Sequence, residues 1–249
     1  MELTVIGAGP AYTDRPGALG SAYLVQAAGA SIVLDFGHGI LPSLFAMIEP
    51  SRLDGIVISH LHPDHLIDLV PLRHYLCYEF KPSRRMTVHA PEGLDQRLDA
   101  LHASDGFFDA SLDLEPLRPG LRTIGPLSIE TIRVTHTADS HAVRVTVSGE
   151  DGPGLVYSGD CGAAMDLAPL VRPGDTLLTE VSFGPGPVPV DELHLDGQAI
   201  GQLAAATRPG RVLLTHLQMG YDADETIAAV NEGWDGEVRF VWPGDRLTV

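Results

Sequence analysis

Short apolar runs closed by glycine, proline or aspartate recur along the chain, separated by segments in which apolar residues return every three or four positions. The runs predict strands at Glu2–Ile6, Ser21–Gln26, Ser31–Asp35, Gly55–Ser59, Met86–His89, Leu127–Val134, Ala142–Ser148, Leu155–Ser158, Thr176–Glu180, Arg211–Thr215 and Glu237–Val241. The wider spacing predicts helices at Leu41–Ile48, His65–Tyr78, Gly93–His102, Ala163–Val171, Asp196–Thr207 and Asp222–Asn231. Each half follows one grammar, a block of strands and then strands alternating with helices. Two packed sheets with helices on both outer faces satisfy that order. No Ser/Gly- or Pro-rich linker divides the 249 residues, so residues 1–249 read as one α/β domain.

Charge narrows the partners. There are 33 acidic residues against 16 basic ones, a formal net charge of −17, and Lys81 is the only lysine. Affinity for long nucleic acids rests largely on Lys and Arg neutralising phosphates, so a long RNA is disfavoured, whereas a small anionic substrate stays compatible if bound metal ions offset the charge locally. A strand begins at the second residue, without a basic and apolar leader before it. No run approaches the roughly 18–20 apolar residues that cross a bilayer. A cytoplasmic protein with no membrane partner is the expectation. Cys77 and Cys161 are too few for a disulfide framework or a thiolate zinc site. A homodimer is compatible with the sequence but not required by it.

The candidate chemistry sits at strand ends. Ile56-Val57-Ile58-Ser59 empties into His60-Leu61-His62-Pro63-Asp64-His65, which places four metal-ligand side chains in six residues. Pro63 stops the strand from continuing. The alternative is a polar turn rich in histidine, but three histidines and an aspartate so closely spaced favour a metal. Six residues cannot close two coordination spheres, so further ligands should end later strands. Candidates stand at Thr135-His136, Gly159-Asp160 and Thr215-His216.

In that order, H-x-H-x-D-H, then His136, then Ser158-Gly159-Asp160, then Thr215-His216, the chain resembles the metallo-β-lactamase superfamily. The resemblance runs from the opening strand and Leu34-Asp35-Phe36-Gly37 to His216. It implies a four-layer αββα sandwich and two divalent metal ions. One ion would take His60, His62 and His136, the other Asp64, His65 and His216, with Asp160 bridging both. Zinc suits this imidazole and carboxylate set, and manganese or iron could occupy the same ligands. The segment from His136 to Arg144 is similar to one in ribonuclease Z whose first histidine binds metal, which favours His136 over His141. Asp35 reads either as an acceptor orienting a ligand histidine or as a turn cap. Cys161 reads as a packing residue, and His38, His74, His89 and His102 as ordinary surface or core histidines.

Two bound metals imply hydrolysis, with Asp64 orienting the attacking water or accepting its proton. Leu66-Ile67-Asp68-Leu69-Val70-Pro71 follows the motif where lactamase-like members often carry Gly-Gly. That segment, Ser158-Gly159-Asp160, and the pair Glu180 and His194 look like the ribonuclease Z and phosphodiesterase branch. This implies a phosphodiester substrate, with Glu180 and His194 as a catalytic pair. No basic insertion able to grip tRNA is visible. An acyl hydrolase acting on a lactone or thioester is the alternative enzyme, and a non-catalytic metal- or nucleotide-sensing module the alternative of another class. Arg73, Lys81, Arg84 and Arg85 either steer an anion or form a solvated loop. Residues 185–189 read as a mobile rim loop.

Overall fold

The computed structural model describes residues 1–249. In chain order its strands are β1 (Glu2–Gly7), β2 (Ala22–Ala27), β3 (Ala30–Leu34), β4 (Gly55–Val57), β5 (Met86–Ala90), β6 (Leu112–Pro116), β7 (Gly120–Ile124), β8 (Leu127–Val134), β9 (Ser140–Val147), β10 (Leu155–Tyr157), β11 (Thr176–Glu180), β12 (Arg211–Thr215), β13 (Glu237–Phe240) and β14 (Arg246–Thr248). They form two seven-stranded sheets, ordered β14-β1-β2-β3-β4-β5-β6 and β13-β12-β11-β10-β9-β8-β7. Each sheet is antiparallel in one half and parallel in the other. The repeated grammar of the sequence is this duplication.

Hydrophobic faces fix the layering. Inward side chains of both sheets, among them Val5, Val25, Ile32, Val145, Leu155 and Leu213, make one core between them. The outer face of the first sheet packs on α1 (Leu41–Phe45), α2 (Leu69–Tyr78) and α3 (Leu94–His102) through residues such as Leu44, Leu72 and Leu98. The outer face of the second packs on α4 (Gly197–Thr207) and α5 (Ala223–Gly233) through Ile200, Leu203 and Val230. The result is the four-layer αββα sandwich. Asp196 and Asp222 cap α4 and α5, accepting from the amides of Ala199 at 2.8 Å and Asp224 at 2.9 Å. No helix is long and apolar enough to cross a membrane.

Local chemistry explains where the elements depart from the pattern. The helix expected at His65 starts at Leu69, because Pro63–His65 forms a tight 3₁₀ turn and Leu66 leaves helical backbone at φ −145°. The segment Ala163–Val171 holds only a 3₁₀ turn, Ala164–Leu167. Pro169 cannot supply the amide that an α-helix needs there. The three strands absent from the sequence pattern, β6, β7 and β14, are three of the four edge strands, where short and partly polar sequence carries little hydrophobic signal.

Candidate metal centre

Because β8 and β10 are both antiparallel to β9, and β10, β11 and β12 are mutually parallel, the C-terminal ends of β8, β10, β11 and β12 lie at one end of the second sheet. The chain leaving β4 in the first sheet faces them. The four strand ends deliver His136, Asp160, Glu180 and His216, and β4 leads into His60. Asp64 is held by a close backbone approach: a Cβ on Gly37 would come within 2.0 Å of its carbonyl oxygen, so only glycine fits there.

The other six expected ligands gather around Asp160. Its Oδ2 lies 3.7 Å from His60 Nε2 and 3.8 Å from His136 Nε2, and His136 Nε2 is 3.2 Å from His62 Nδ1. The other oxygen, Oδ1, lies 3.3 Å from His65 Nε2 and 3.6 Å from His216 Nε2. Both imidazoles approach Asp64 Oδ2, at 3.4 and 3.3 Å. Metal bonds of about 2.0–2.1 Å in a tetrahedron set neighbouring donor atoms about 3.3 Å apart, which is the spacing of these groups. His60 Nε2, His65 Nε2 and Asp160 Oδ1 are buried and have no hydrogen-bond partner. Such groups are costly unless something else satisfies them, and a bound divalent cation would do so.

In four of the five ligand histidines the opposite ring nitrogen is engaged. His65 Nδ1 donates to Asp35 Oδ2 at 2.7 Å. His60 Nδ1 donates to Ser59 Oγ at 3.1 Å, and that hydroxyl donates to the same Asp35 oxygen at 2.8 Å. His136 Nδ1 donates to the Leu193 carbonyl at 2.7 Å, and His216 Nδ1 to Ser182 Oγ at 3.1 Å. Each bond places the proton on Nδ1 and leaves the Nε2 lone pair facing Asp160, the tautomer a metal requires. Asp35 therefore orients two imidazoles, one on each side of Asp160. It is fully buried, sits at a left-handed φ of 56°, and also accepts from Tyr157 Oη at 2.5 Å. We expect Asp35→Asn to weaken metal affinity about 10- to 100-fold, since an amide cannot accept all of these donors. Chelator competition reads the affinity and circular dichroism the fold; unchanged affinity would remove Asp35 from this role.

Electrostatics agree with ligand duty. Burial and the neighbouring His65 push His60 well below the ordinary imidazole range, and burial and His136 lower His62. Burial opposes the charge of Asp64 and Asp160, but His216 and His65 outweigh it and hold both carboxyls well below their usual range. His65 is the exception: it is likewise desolvated, yet Asp160 and Asp35 raise it, so a metal ion would have to displace a proton from its Nε2.

Beside the bridge lies the other expected pair. His194 Nδ1 donates to Glu180 Oε1 at 2.9 Å and lies 4.0 Å from Asp160 Oδ2. Burial works against a charged His194, but the hydrogen bond and charge of Glu180 prevail and raise it to about 9. Glu180 is buried and held by the amides of Cys161 and Ser182, at 2.9 and 3.0 Å, and by Ser182 Oγ at 2.5 Å. The 185–189 segment leads to Leu193 and His194. Gly162 permits its approach, as a Cβ there would lie 2.8 Å from Leu193 Cα.

Other candidates fall outside. His141 is buried against Ser59 and Asp139 and joins none of the ligand groups. Burial pushes the Cys161 thiol up to about 12, and its Sγ faces the Ala163 carbonyl, as suits a packing residue. Arg73 is buried and donates to the Phe107 carbonyl, while Arg84 and Arg85 pair with Glu49 and Asp113. Those three arginines are engaged in structure. Ser59, Ser182, Tyr157 and the Leu193 carbonyl were not singled out by sequence. A hydroxyl or peptide carbonyl gains its role only from what folding sets opposite it.

Comparison with known proteins gives a consistent picture. Residues 32–217 match a family described as the beta-lactamase superfamily domain. The chain is 31% identical over 253 residues to the uncharacterized protein Rv1339 of Mycobacterium tuberculosis, covering 97% of this chain and 89% of that one. It is 26% identical to the probable metallo-hydrolase YhfI of Bacillus subtilis over 98% of this chain and 100% of that one. The crystal structure of YhfI, described as a metallo-beta-lactamase fold protein, superposes with a TM-score of 0.86 at 23% identity, over 99% and 98% of the two chains. A ribonuclease Z of Bradyrhizobium is 26% identical over 90% of this chain and 89% of its own.

Proposed function

From its membership of the β-lactamase superfamily, to which the chain belongs, we propose that it is a two-metal hydrolase acting on a small phosphodiester. One observation carries the reading: the two oxygens of Asp160 face separate ligand groups, His60, His62 and His136 on one side and Asp64, His65 and His216 on the other. Two divalent ions, zinc on the chemistry of the donors, would supply an activated water and neutralise phosphoryl oxygens.

The chain's own residues do the rest. Asp64, kept ionised by His216 and His65, orients the attacking water or accepts its proton. His194, held protonated by Glu180, has Nε2 available to protonate the departing alkoxide as the P–O bond breaks, leaving a monoester and an alcohol. A leaving-group acid suits a diester of an ordinary alcohol, and the kinship to a ribonuclease Z supports phosphodiester chemistry. The net charge of −17 favours a small diester over tRNA. The full ligand set supports an enzyme rather than a sensing module.

The test is elemental analysis followed by a substrate panel. We expect two divalent ions per chain and turnover of bis(p-nitrophenyl) phosphate well above that of p-nitrophenyl acetate, a lactone or a precursor tRNA. A single ion in fully reconstituted protein contradicts the two-metal reading. Faster ester or lactone hydrolysis would make it an acyl hydrolase, and efficient, salt-sensitive tRNA processing would make RNA the substrate.

A further inference from the structure

A cavity of about 270 Å³ adjoins the centre and shares His216 with it. Its walls come from the loop after β1, including Pro10 and Arg15, and from the ends of β12 and β13, including Phe240 and Trp242. In a chain with 33 acidic residues, none of the 15 residues lining this cavity is aspartate or glutamate. Arg15 is spent on backbone, donating to the carbonyls of Leu217, Gln218 and Tyr221 at 2.6, 3.3 and 3.3 Å, so its positive charge has no carboxylate to neutralise it. Trp242 is 45% exposed. Its indole packs against Phe240, with ring centroids 5.7 Å apart and planes at 26°, and its backbone is held by the amide donating to Asp245 Oδ2 at 3.1 Å.

We propose that this cavity is the subsite for the planar base of a nucleotide-type diester, stacked on Trp242 with its phosphate at the metal centre. This rests on the phosphodiester reading and names its substrate class. The volume falls a little below the roughly 300–1,000 Å³ of drug-sized sites, which suits one ring system rather than a polymer. A half-exposed indole backed by Phe240 offers a flat apolar face with only two side-chain torsions to order, and any base has a matching π-face. The uncompensated Arg15 and the absence of acids make the same cavity tolerant of an anion.

The experiment uses the zinc-loaded full chain with Trp234→Phe, which leaves Trp242 as the only indole. Adenosine 5′-monophosphate is compared with ribose 5-phosphate, which has the same phosphate and no base. The nucleotide should quench Trp242 fluorescence and bind about tenfold or more tightly than the sugar phosphate. In Trp242→Ala, followed by calorimetry, that preference should collapse, and Trp242→Phe should restore most of it. Thr13→Trp, which fills the cavity from the opposite wall, should also abolish it. Equal binding of the two probes, or a preference that survives both Trp242→Ala and Thr13→Trp, overturns the subsite. If the preference is absent while bis(p-nitrophenyl) phosphate is still turned over, the subsite alone fails. If the preference is present without diester turnover, the subsite stands and the phosphodiesterase reading falls.

Discussion

Asp160→Ala is expected to release both metal ions and to lower diester turnover by about 10³-fold or more. No other side chain presents one oxygen to His60 and His136 and another to His65 and His216. Without it each side keeps three donors but loses the carboxylate that fixes their separation. Loss of a single transition-state donor already costs about 10²–10³ in other hydrolases, and here an entire bridged pair is displaced. Elemental analysis of the dialysed variant checks the metals, and its melting temperature beside that of the metal-free parent checks the fold. Retention of two ions would refute the bridging role. His141→Ala is the comparison, and should keep both ions because its ring faces Asp139 and Ser59, away from the ligand groups.

His194→Ala should keep both ions and the fold yet lose about 10²- to 10⁴-fold in turnover, the usual scale of general acid catalysis. The loss should depend on the leaving group. A nitrophenolate departs without a proton, so bis(p-nitrophenyl) phosphate should suffer least and a dialkyl or nucleotide diester most. The geometry behind this is the 2.9 Å bond to Glu180, a carboxylate gripped by two amides and a hydroxyl and so unable to turn away from the imidazole. Glu180→Gln should reproduce the same dependence more weakly. Equal losses on activated and unactivated diesters would show that His194 does not protonate the leaving group. A missing metal in His194→Ala would instead make it a ligand.

The sequence disclosed the groups whose identity is their signal. His60, His62, Asp64 and His65 crowd into one turn, and His136, Asp160 and His216 each close an apolar run, so residue type and strand position suffice. The alternation of block and helix carried the layered fold for the same reason. What stayed hidden depends on juxtaposition. Ser182 lies two residues past Glu180 and looks like any turn serine, until the fold sets its hydroxyl between Glu180, His194 and His216. Asp35 showed itself as a residue ending a strand, but choosing between a turn cap and an orienting acceptor required Ser59, His65 and Tyr157 to arrive from elsewhere. Arg15 and Trp242 are 227 positions apart and line one cavity only because β1 pairs with β14 in the first sheet, which brings the chain leaving β13 beside the loop after β1. Edge strands β6, β7 and β14 eluded the pattern because one side of each has no strand to satisfy, which relaxes the demand for continuous apolar sequence.

Leu193 and His194 are consecutive, yet they serve different steps. The carbonyl of one holds the His136 tautomer, and the side chain of the other is bonded to Glu180 and is the proposed acid for the leaving group. A displacement of that peptide is therefore felt twice, as weaker metal retention and as a misplaced acid. The 185–192 segment before it is free to vary in length and composition only as long as it returns Leu193 to the gap above Gly162. New substrate preferences in proteins built this way should accumulate upstream of that fixed point rather than across it.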